Sequence, residues 1–226
     1  MNRETPSGLD AQLDLLAREI RRWNQQTNLI TRVDTDQQIS RIMRQCRDGW
    51  ALARQALAEE PWFAGSRHID LGSGAGLPGL VWAALRQADG HPGESWLVEP
   101  REKRAWFLRR AIRAMGLLRA FVLAARWGDA ALASERAGGP GVVVSLKALR
   151  LDDSQVIRGL AAAIPDFAAI HELAIIRFLD SEPRSLEELD DTFVDHLGDP
   201  ETWWFPRGAS VLGSGAPRLF LTRYRR

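Results

Sequence analysis

The stretch Arg67-His68-Ile69-Asp70-Leu71-Gly72-Ser73-Gly74-Ala75-Gly76-Leu77-Pro78-Gly79 decides how the rest of the chain is read. A short apolar run ends in an acid, and four glycines follow within eight residues. In α/β proteins a strand feeding a glycine-rich turn and then a helix brings backbone N–H groups close to a nucleotide-like ligand. Glycine supplies the positive φ of the turn and removes the Cβ that would stand between backbone and ligand. Pro78 suits the first turn of the following helix, where its missing N–H costs nothing. Gly74, Gly76 and Gly79 also match the dinucleotide fingerprint, so the turn alone leaves a nicotinamide dinucleotide open. A second acid adds detail. Ser95-Trp96-Leu97-Val98-Glu99 reads as the next strand, and Glu99 ends it about 20 residues beyond the glycines, where a doubly wound fold places the carboxylate for a ribose diol. Two hydroxyls are two donors, and a carboxylate is their bidentate acceptor.

Outward from this motif the pattern is regular. Upstream, residues 9–24 are helical by period, with Leu9, Leu13, Leu16, Ile20 and Trp23 on one face and Ser7 with Asp10 resembling a capping box. Residues 36–58 repeat the period through Ile39, Ile42, Met43, Cys46, Trp50, Ala53 and Leu57. Downstream, strands near 67–71, 95–99, 119–125, 141–146 and 172–179 alternate with helices, which predicts a doubly wound, mostly parallel sheet. A capping box from Ser185 to Glu188 opens a helix ending near His196, and Thr202–Pro206 and Arg218–Tyr224 read as a closing pair of strands. The expected architecture is α/β: one domain over 1–226, with N-terminal helices over 1–60 and a seven-stranded Rossmann-like core over 66–226.

Composition bounds the function classes. With 226 residues, 45% hydrophobic and 26% charged, the chain fits an ordinary soluble domain with a substantial core. No apolar run approaches a membrane span, and the charged, polar N-terminus does not read as a signal peptide. One cysteine, Cys46, excludes an internal disulfide framework and suits a reducing cytoplasm. His68, His91, His171 and His196 are scattered, so no metal site is expected. Net charge is +1, yet 28 of the 30 basic residues are arginine. They cluster at Arg101, Lys103, Arg104, Arg109, Arg110, Arg113 and Arg119, at Arg18, Arg21 and Arg22, and at Arg223, Arg225 and Arg226. Trp203-Trp204 beside Arg207 fits either base stacking or a core position.

Asp70-Leu71-Gly72-Ser73-Gly74-Ala75-Gly76 resembles the first motif of the S-adenosylmethionine (SAM) methyltransferases, whose turn passes around the amino-acid end of SAM. Ile69 to Gly79, followed by Leu97-Val98-Glu99-Pro100-Arg101-Glu102-Lys103-Arg104-Ala105-Trp106-Phe107-Leu108, is more specifically similar to the ribosomal small-subunit methyltransferase G family. Trp23-Asn24-Gln25-Gln26-Thr27-Asn28-Leu29 is similar to that family's Trp-Asn…Asn-Leu segment. The resemblance covers roughly residues 12 to 130 and implies a class I SAM-dependent fold, SAM as cofactor and a guanine N7 in a small-subunit rRNA loop as acceptor. Asp70, Gly72, Ser73, Gly74, Gly76, Leu77 and Glu99 are the implied cofactor contacts, with Trp127, Gly128 and Asp129 beside the adenine. The small-subunit rRNA or ribosomal particle is the implied partner.

Guanine N7 suits what the sequence lacks. There is no Asn-Pro-Pro-Tyr-like word for amine methylation and no cysteine placed for a covalent adduct. N7 carries an in-plane lone pair and no proton, so catalysis reduces to alignment and exclusion of water. Basic residues then serve phosphates or O6, because an arginine gripping guanine bidentately would cover N7. By resemblance these are Arg126 in Ala-Arg-Trp, Lys147 in Ser-Leu-Lys-Ala where the family has Ser-Arg-Ala, Arg177 and Arg218. All four are expected to converge on the pocket rim, with Lys147 and Arg126 nearest the chemistry. Where the family's second helix carries His-x-x-Asp-Ser, this chain reads Arg41-Ile42-Met43-Arg44-Gln45, which marks a divergent branch. Two other readings stay open: a related methyltransferase with another RNA or a small-molecule acceptor, and an NAD(P)-dependent oxidoreductase.

Overall fold

The valine run at Gly141–Lys147 (β4) and the motif strand Arg67–Leu71 (β1) lie side by side in the middle of a seven-stranded sheet. Both are apolar or buried almost throughout, as strands covered on two faces must be. The computed structural model describes residues 8–132, 139–179, 204–214 and 216–226. Around the two central strands stand Leu9–Thr27 (α1), Thr35–Ala56 (α2), Gly79–Ala88 (α3), Ser95–Val98 (β2), Glu102–Met115 (α4), Ala120–Leu123 (β3), Asp153–Ala163 (α5), Glu172–Leu179 (β5), Phe205–Leu212 (β6) and Arg218–Arg225 (β7). The strand order is β3-β2-β1-β4-β5-β7-β6. β1 to β5 pair in parallel, and β7 runs antiparallel to both β5 and β6. The order reverses between β1 and β4, which opens a crevice at their C-terminal ends.

The sheet separates two apolar layers. On one face Leu97, Val143, Ala174, Ile176, Leu219 and Leu221 pack under α1 to α4. On the other, Ile69, Val142, Val144, Leu146 and Ile175 pack under α5 through Val156, Ile157 and Leu160. Each fully buried aliphatic side chain contributes roughly 1.5–3 kcal/mol. The period-two alternation assigns every strand residue to one layer or the other. His68, Asp70, Ser145 and Lys147 therefore share the α2–α3 face, while Arg177 falls on the α5 face.

Local signals explain the element ends. α1 stops at Asn28, which adopts the left-handed conformation at φ 45, and Asn24 Oδ1 accepts the Ile30 N–H at 2.9 Å to turn the chain back. α4 stops at Gly116, φ 66, where only glycine is unstrained. Some expectations move. The residue before α1 is Gly8, with no side-chain cap; Ser7, where the expected box to Asp10 begins, lies outside the described residues. A real capping box opens α5 instead, Asp152 Oδ1 accepting from Gln155 N at 2.7 Å and Gln155 Oε1 from Asp152 N at 3.0 Å. The sixth strand occupies Phe205–Leu212, extending beyond the expected end at Pro206. The helix expected from Ser185 to His196, and Trp203, lie outside the described residues. Trp204 is a core residue, buried against Phe167 with ring centroids 5.9 Å apart. Among the described residues no helix is long and apolar enough to cross a membrane, and no three His, Cys, Asp or Glu gather to hold a metal ion.

Candidate functional site at the C-terminal edge of the sheet

The turn after β1 is tied to the end of β2. Gly72 N and Ser73 N both donate to Val98 O, at 3.0 and 3.1 Å, Ser73 Oγ donates to Asp70 O at 2.9 Å, and Gly76 N donates to Ser73 O at 2.6 Å. These bonds hold three glycines at positive φ, 70, 54 and 79 for Gly72, Gly74 and Gly76. The glycines then divide by what a Cβ would meet. At Gly74 the nearest atoms are Arg104 Nη1 and Gly72 O, both 3.7 Å away, so the space is open. At Gly72 the Leu149 side chain leans in at 3.3 Å. At Gly76 a Cβ would strike Leu80 Cδ1 at 2.4 Å, and at Gly79 it would strike Asp70 Oδ2 at 2.5 Å. Gly74 thus faces open space and Gly72 meets only the Leu149 side chain, while Gly76 and Gly79 serve internal packing. Gly76→Ala is expected to destabilise the fold by about 2–4 kcal/mol through strain at positive φ and overpacking, read as a lower midpoint of urea unfolding. An unchanged midpoint would contradict this division.

Two buried carboxylates flank the turn. Glu99 is 3% exposed; its Oε2 accepts the Gly74 N–H at 3.0 Å and its Oε1 the Arg101 N–H at 2.9 Å. Each oxygen keeps a lone pair for a further donor. Asp70, on the other side, is held from beneath. Ser145, its register partner on β4, donates Oγ–H to Asp70 Oδ1 at 2.6 Å. Having given its proton, Ser145 accepts from His68 Nε2 at 3.0 Å. His68 is buried against Trp82 at 5.3 Å between ring centroids, and burial, with the Arg86 charge, holds its pKa well below 6.5. Asp70 Oδ2 has no well-aligned donor and is sealed from bulk water, although the Gly79 backbone lies beside it. Burial pushes the Asp70 pKa up to about 6 against the opposing hydrogen bonds of Ser145, Ser73 and Gly79 and the charge of Lys147. The result is a buried, desolvated acid beneath the glycine turn.

Lys147 is the last residue of β4, on the face of Ser145, and its charge opposes the pKa rise of both Asp70 and the buried Cys46 thiol. From α4, Arg104 reaches across to Asn28 O at 2.9 Å with its other amino group over Gly74. The segment after β3 is turned otherwise. Trp127 Nε1 donates to Val156 O at 3.1 Å, and its ring fills the space that a side chain at Gly159 would need. Gly128 likewise packs on α5. The half-buried Trp127 ring thus anchors α5 along one edge. Arg126 and Asp129 are exposed and close a turn through Asp129 N to Arg126 O at 3.1 Å.

The expected convergence of four basic residues is corrected. Arg177 points to the α5 face, where its Nη2 pairs with the buried Asp153 Oδ1 at 2.5 Å and donates to Leu151 O at 2.9 Å. Asp153 Oδ2 also accepts from Thr222 Oγ1 at 2.9 Å and from Tyr224. This cluster ties α5 to β5 and β7, so Arg177 is structural. Arg218 opens β7 at the same edge of the sheet but on the α5 face, opposite Lys147. The cavity of about 220 Å³ lined by Arg86, His91, Ser95 and Arg119 sits at the opposite, N-terminal edge of the strands, away from the crevice where parallel sheets bind ligands.

Residues 10–148 match the family described as GidB, rRNA small subunit methyltransferase G. The chain belongs to this family. Its relatives include the Ribosomal RNA small subunit methyltransferase G of Rhodopseudomonas palustris, 39% identical over 117 residues that make up 51% of this chain and 43% of the relative. That of Cereibacter sphaeroides is 35% identical over 117 residues, 52% of this chain and 50% of the relative. The chain thus spans about half the length of the curated relatives it matches. Among solved structures it is similar in fold to MtNAS in complex with MTA and tNA, with a TM-score of 0.52 and 15% identity over 96% of this chain and 72% of that one. A mutant of MtNAS in complex with S-adenosylmethionine gives 0.52 and 16%, covering 96% and 74%. The family match ends at residue 148 and so contains the glycine turn, Glu99, Ser145 and Lys147.

Proposed function

We propose that this methyltransferase G family member transfers a methyl group from SAM to N7 of a guanine in a single-stranded loop of small-subunit rRNA. One observation carries the cofactor half of this reading: an open glycine turn with a buried carboxylate on each side. The residues fit SAM. Asp70 would hold the ammonium, the remaining lone pairs of Glu99 would receive two ribose hydroxyls, and the open space at Gly74 would take the chain between them. SAM supplies an electrophilic methyl on its sulfonium. The protein's own groups hold and exclude water, and none of them needs to remove a proton, because N7 has none. Lys147, at the mouth beside Asp70, positions the guanine or its phosphate. Arg126, exposed after β3, remains a phosphate contact in this reading; Arg177 and Arg218, both on the α5 face, do not.

The acceptor half rests on family membership. A different RNA or a small-molecule acceptor is the second reading, favoured by Arg177 being bound to Asp153 and by Arg41–Gln45 in place of His-x-x-Asp-Ser. The dinucleotide reading loses support at Gly76, the glycine of that fingerprint that would leave room for a pyrophosphate, because Leu80 fills the space there. Titrating the protein by calorimetry with SAM, S-adenosylhomocysteine, NAD and NADP separates them. Binding of the first two and not the last two is expected; the reverse would overturn the assignment.

A further inference from the structure

Helix α4 carries an exposed tryptophan where a soluble helix ordinarily places a polar residue. Trp106 is 46% exposed and packs at a 47° tilt on the half-buried Trp23 of α1, with centroids 4.8 Å apart. Lys103, Arg109, Arg110 and Arg113 lie at i−3, i+3, i+4 and i+7 from it, on the same face of the helix. Arg110 is paired to Glu19 at 3.0 Å. Lys103, Arg109 and Arg113 are exposed and make no ion pair or side-chain hydrogen bond among the described residues. Glu102 is the only acid in α4, against five cations. In a chain of net charge +1 this is a concentrated basic strip with a flat aromatic ring in it, about 15 Å long from Lys103 to Arg113. It begins at the glycine turn, because Arg104, in the first turn of α4, spans from Gly74 to Asn28.

An exposed aromatic among unpaired cations is the composition that binds single-stranded nucleic acid. The ring stacks on a base regardless of its identity, and the cations track the phosphates. We propose that the Lys103–Arg113 face of α4 docks the single strand next to the acceptor nucleotide, one base on Trp106 and its phosphates on Arg109 and Arg113. This rests on the RNA reading of the acceptor. Trp23 supports the platform from beneath, and Arg110 is held upright by Glu19. The strip also supplies the basic surface that Arg177, turned inward, does not.

The test uses the full chain and protein-free small-subunit rRNA lacking the methyl group, with affinity measured at several salt concentrations and SAM affinity measured in parallel. Trp106→Ala is expected to weaken rRNA binding roughly 10- to 100-fold, and Trp106→Phe to restore most of it. Arg109→Gln with Arg113→Gln should lower the salt slope by about two phosphate contacts. SAM affinity should change less than about twofold in all three, which establishes that they fold. Unchanged rRNA affinity and slope in variants that bind SAM would overturn the strip while leaving the methyltransferase reading intact. Loss of binding to the assembled small subunit but not to naked rRNA would overturn it too, in favour of a protein partner. Wild-type protein with no affinity for rRNA would instead remove the RNA reading and the strip together.

Discussion

Gly74→Val is expected to abolish SAM binding while leaving the protein folded. The position faces open space, with no atom nearer than 3.7 Å to an idealised Cβ, so a valine side chain projects into the volume assigned to the ligand rather than into the core. The backbone there has φ 54, and a non-glycine residue at that angle costs about 1–2 kcal/mol of stability, a modest loss beside the effect on affinity. Glu99→Ala is the graded companion. It should weaken SAM by roughly 1–3 kcal/mol, the cost of leaving two ribose hydroxyls unpaired. Calorimetry on both variants, with unfolding curves as controls, reads the difference. Unchanged affinity in both would remove the pocket from this edge of the sheet.

Ser145→Ala should shift the pH dependence of SAM binding. Asp70 has a folded pKa of about 6 against 3.8 when exposed, so between these values the native state holds the extra proton. Stability therefore rises as pH falls from about 6 towards 3.8, and above pH 6 the buried carboxylate costs about 3 kcal/mol. A cationic ligand needs that carboxylate ionised, so SAM affinity should climb with pH through about 6 and level off above it. Removing the Ser145 hydroxyl takes away a hydrogen bond to the charged form, worth about 1.5–3 kcal/mol, and moves the midpoint up by about one to two units. The groups facing Asp70 are His68 and Ser73, the Gly79 backbone, Lys147 and Cys46. His68 stays neutral through this window because its own pKa is pushed down, so it does not mask the step. Ser145→Thr, which keeps a hydroxyl, should retain the wild-type midpoint. The same midpoint in Ser145→Ala would show that the serine does not hold the carboxylate.

The sheet was readable because its strands are short apolar runs punctuated by glycine and acid, and the turn because φ and close approach both demand glycine. The β1–β4 pairing was not. Nothing along the chain states that Ser145 stands opposite Asp70, so His68 reads as one of four scattered histidines until the register is known. His68 and Asp70 do share a strand face by their i, i+2 spacing, which is the signal available in the sequence. Arg177 illustrates the converse. A cation near a strand end resembles a phosphate contact, and only the capping box at Asp152 and Gln155, which starts α5 and places Asp153 beneath β5, reveals its partner. The packing of Trp127 is hidden for the same reason, because it depends on the absent side chain of Gly159, thirty-two positions along the chain.

The central claim is the transfer of a methyl group to guanine N7 of small-subunit rRNA, and nucleotide mapping tests it most directly. Small subunits from cells lacking this gene, incubated with the purified protein and SAM, are cleaved chemically at N7-methylguanine and read by primer extension. A single new cleavage, at a guanine in a single-stranded loop and absent without SAM, is the predicted result. SAM binding without any new N7-methylguanine in that rRNA would contradict the account.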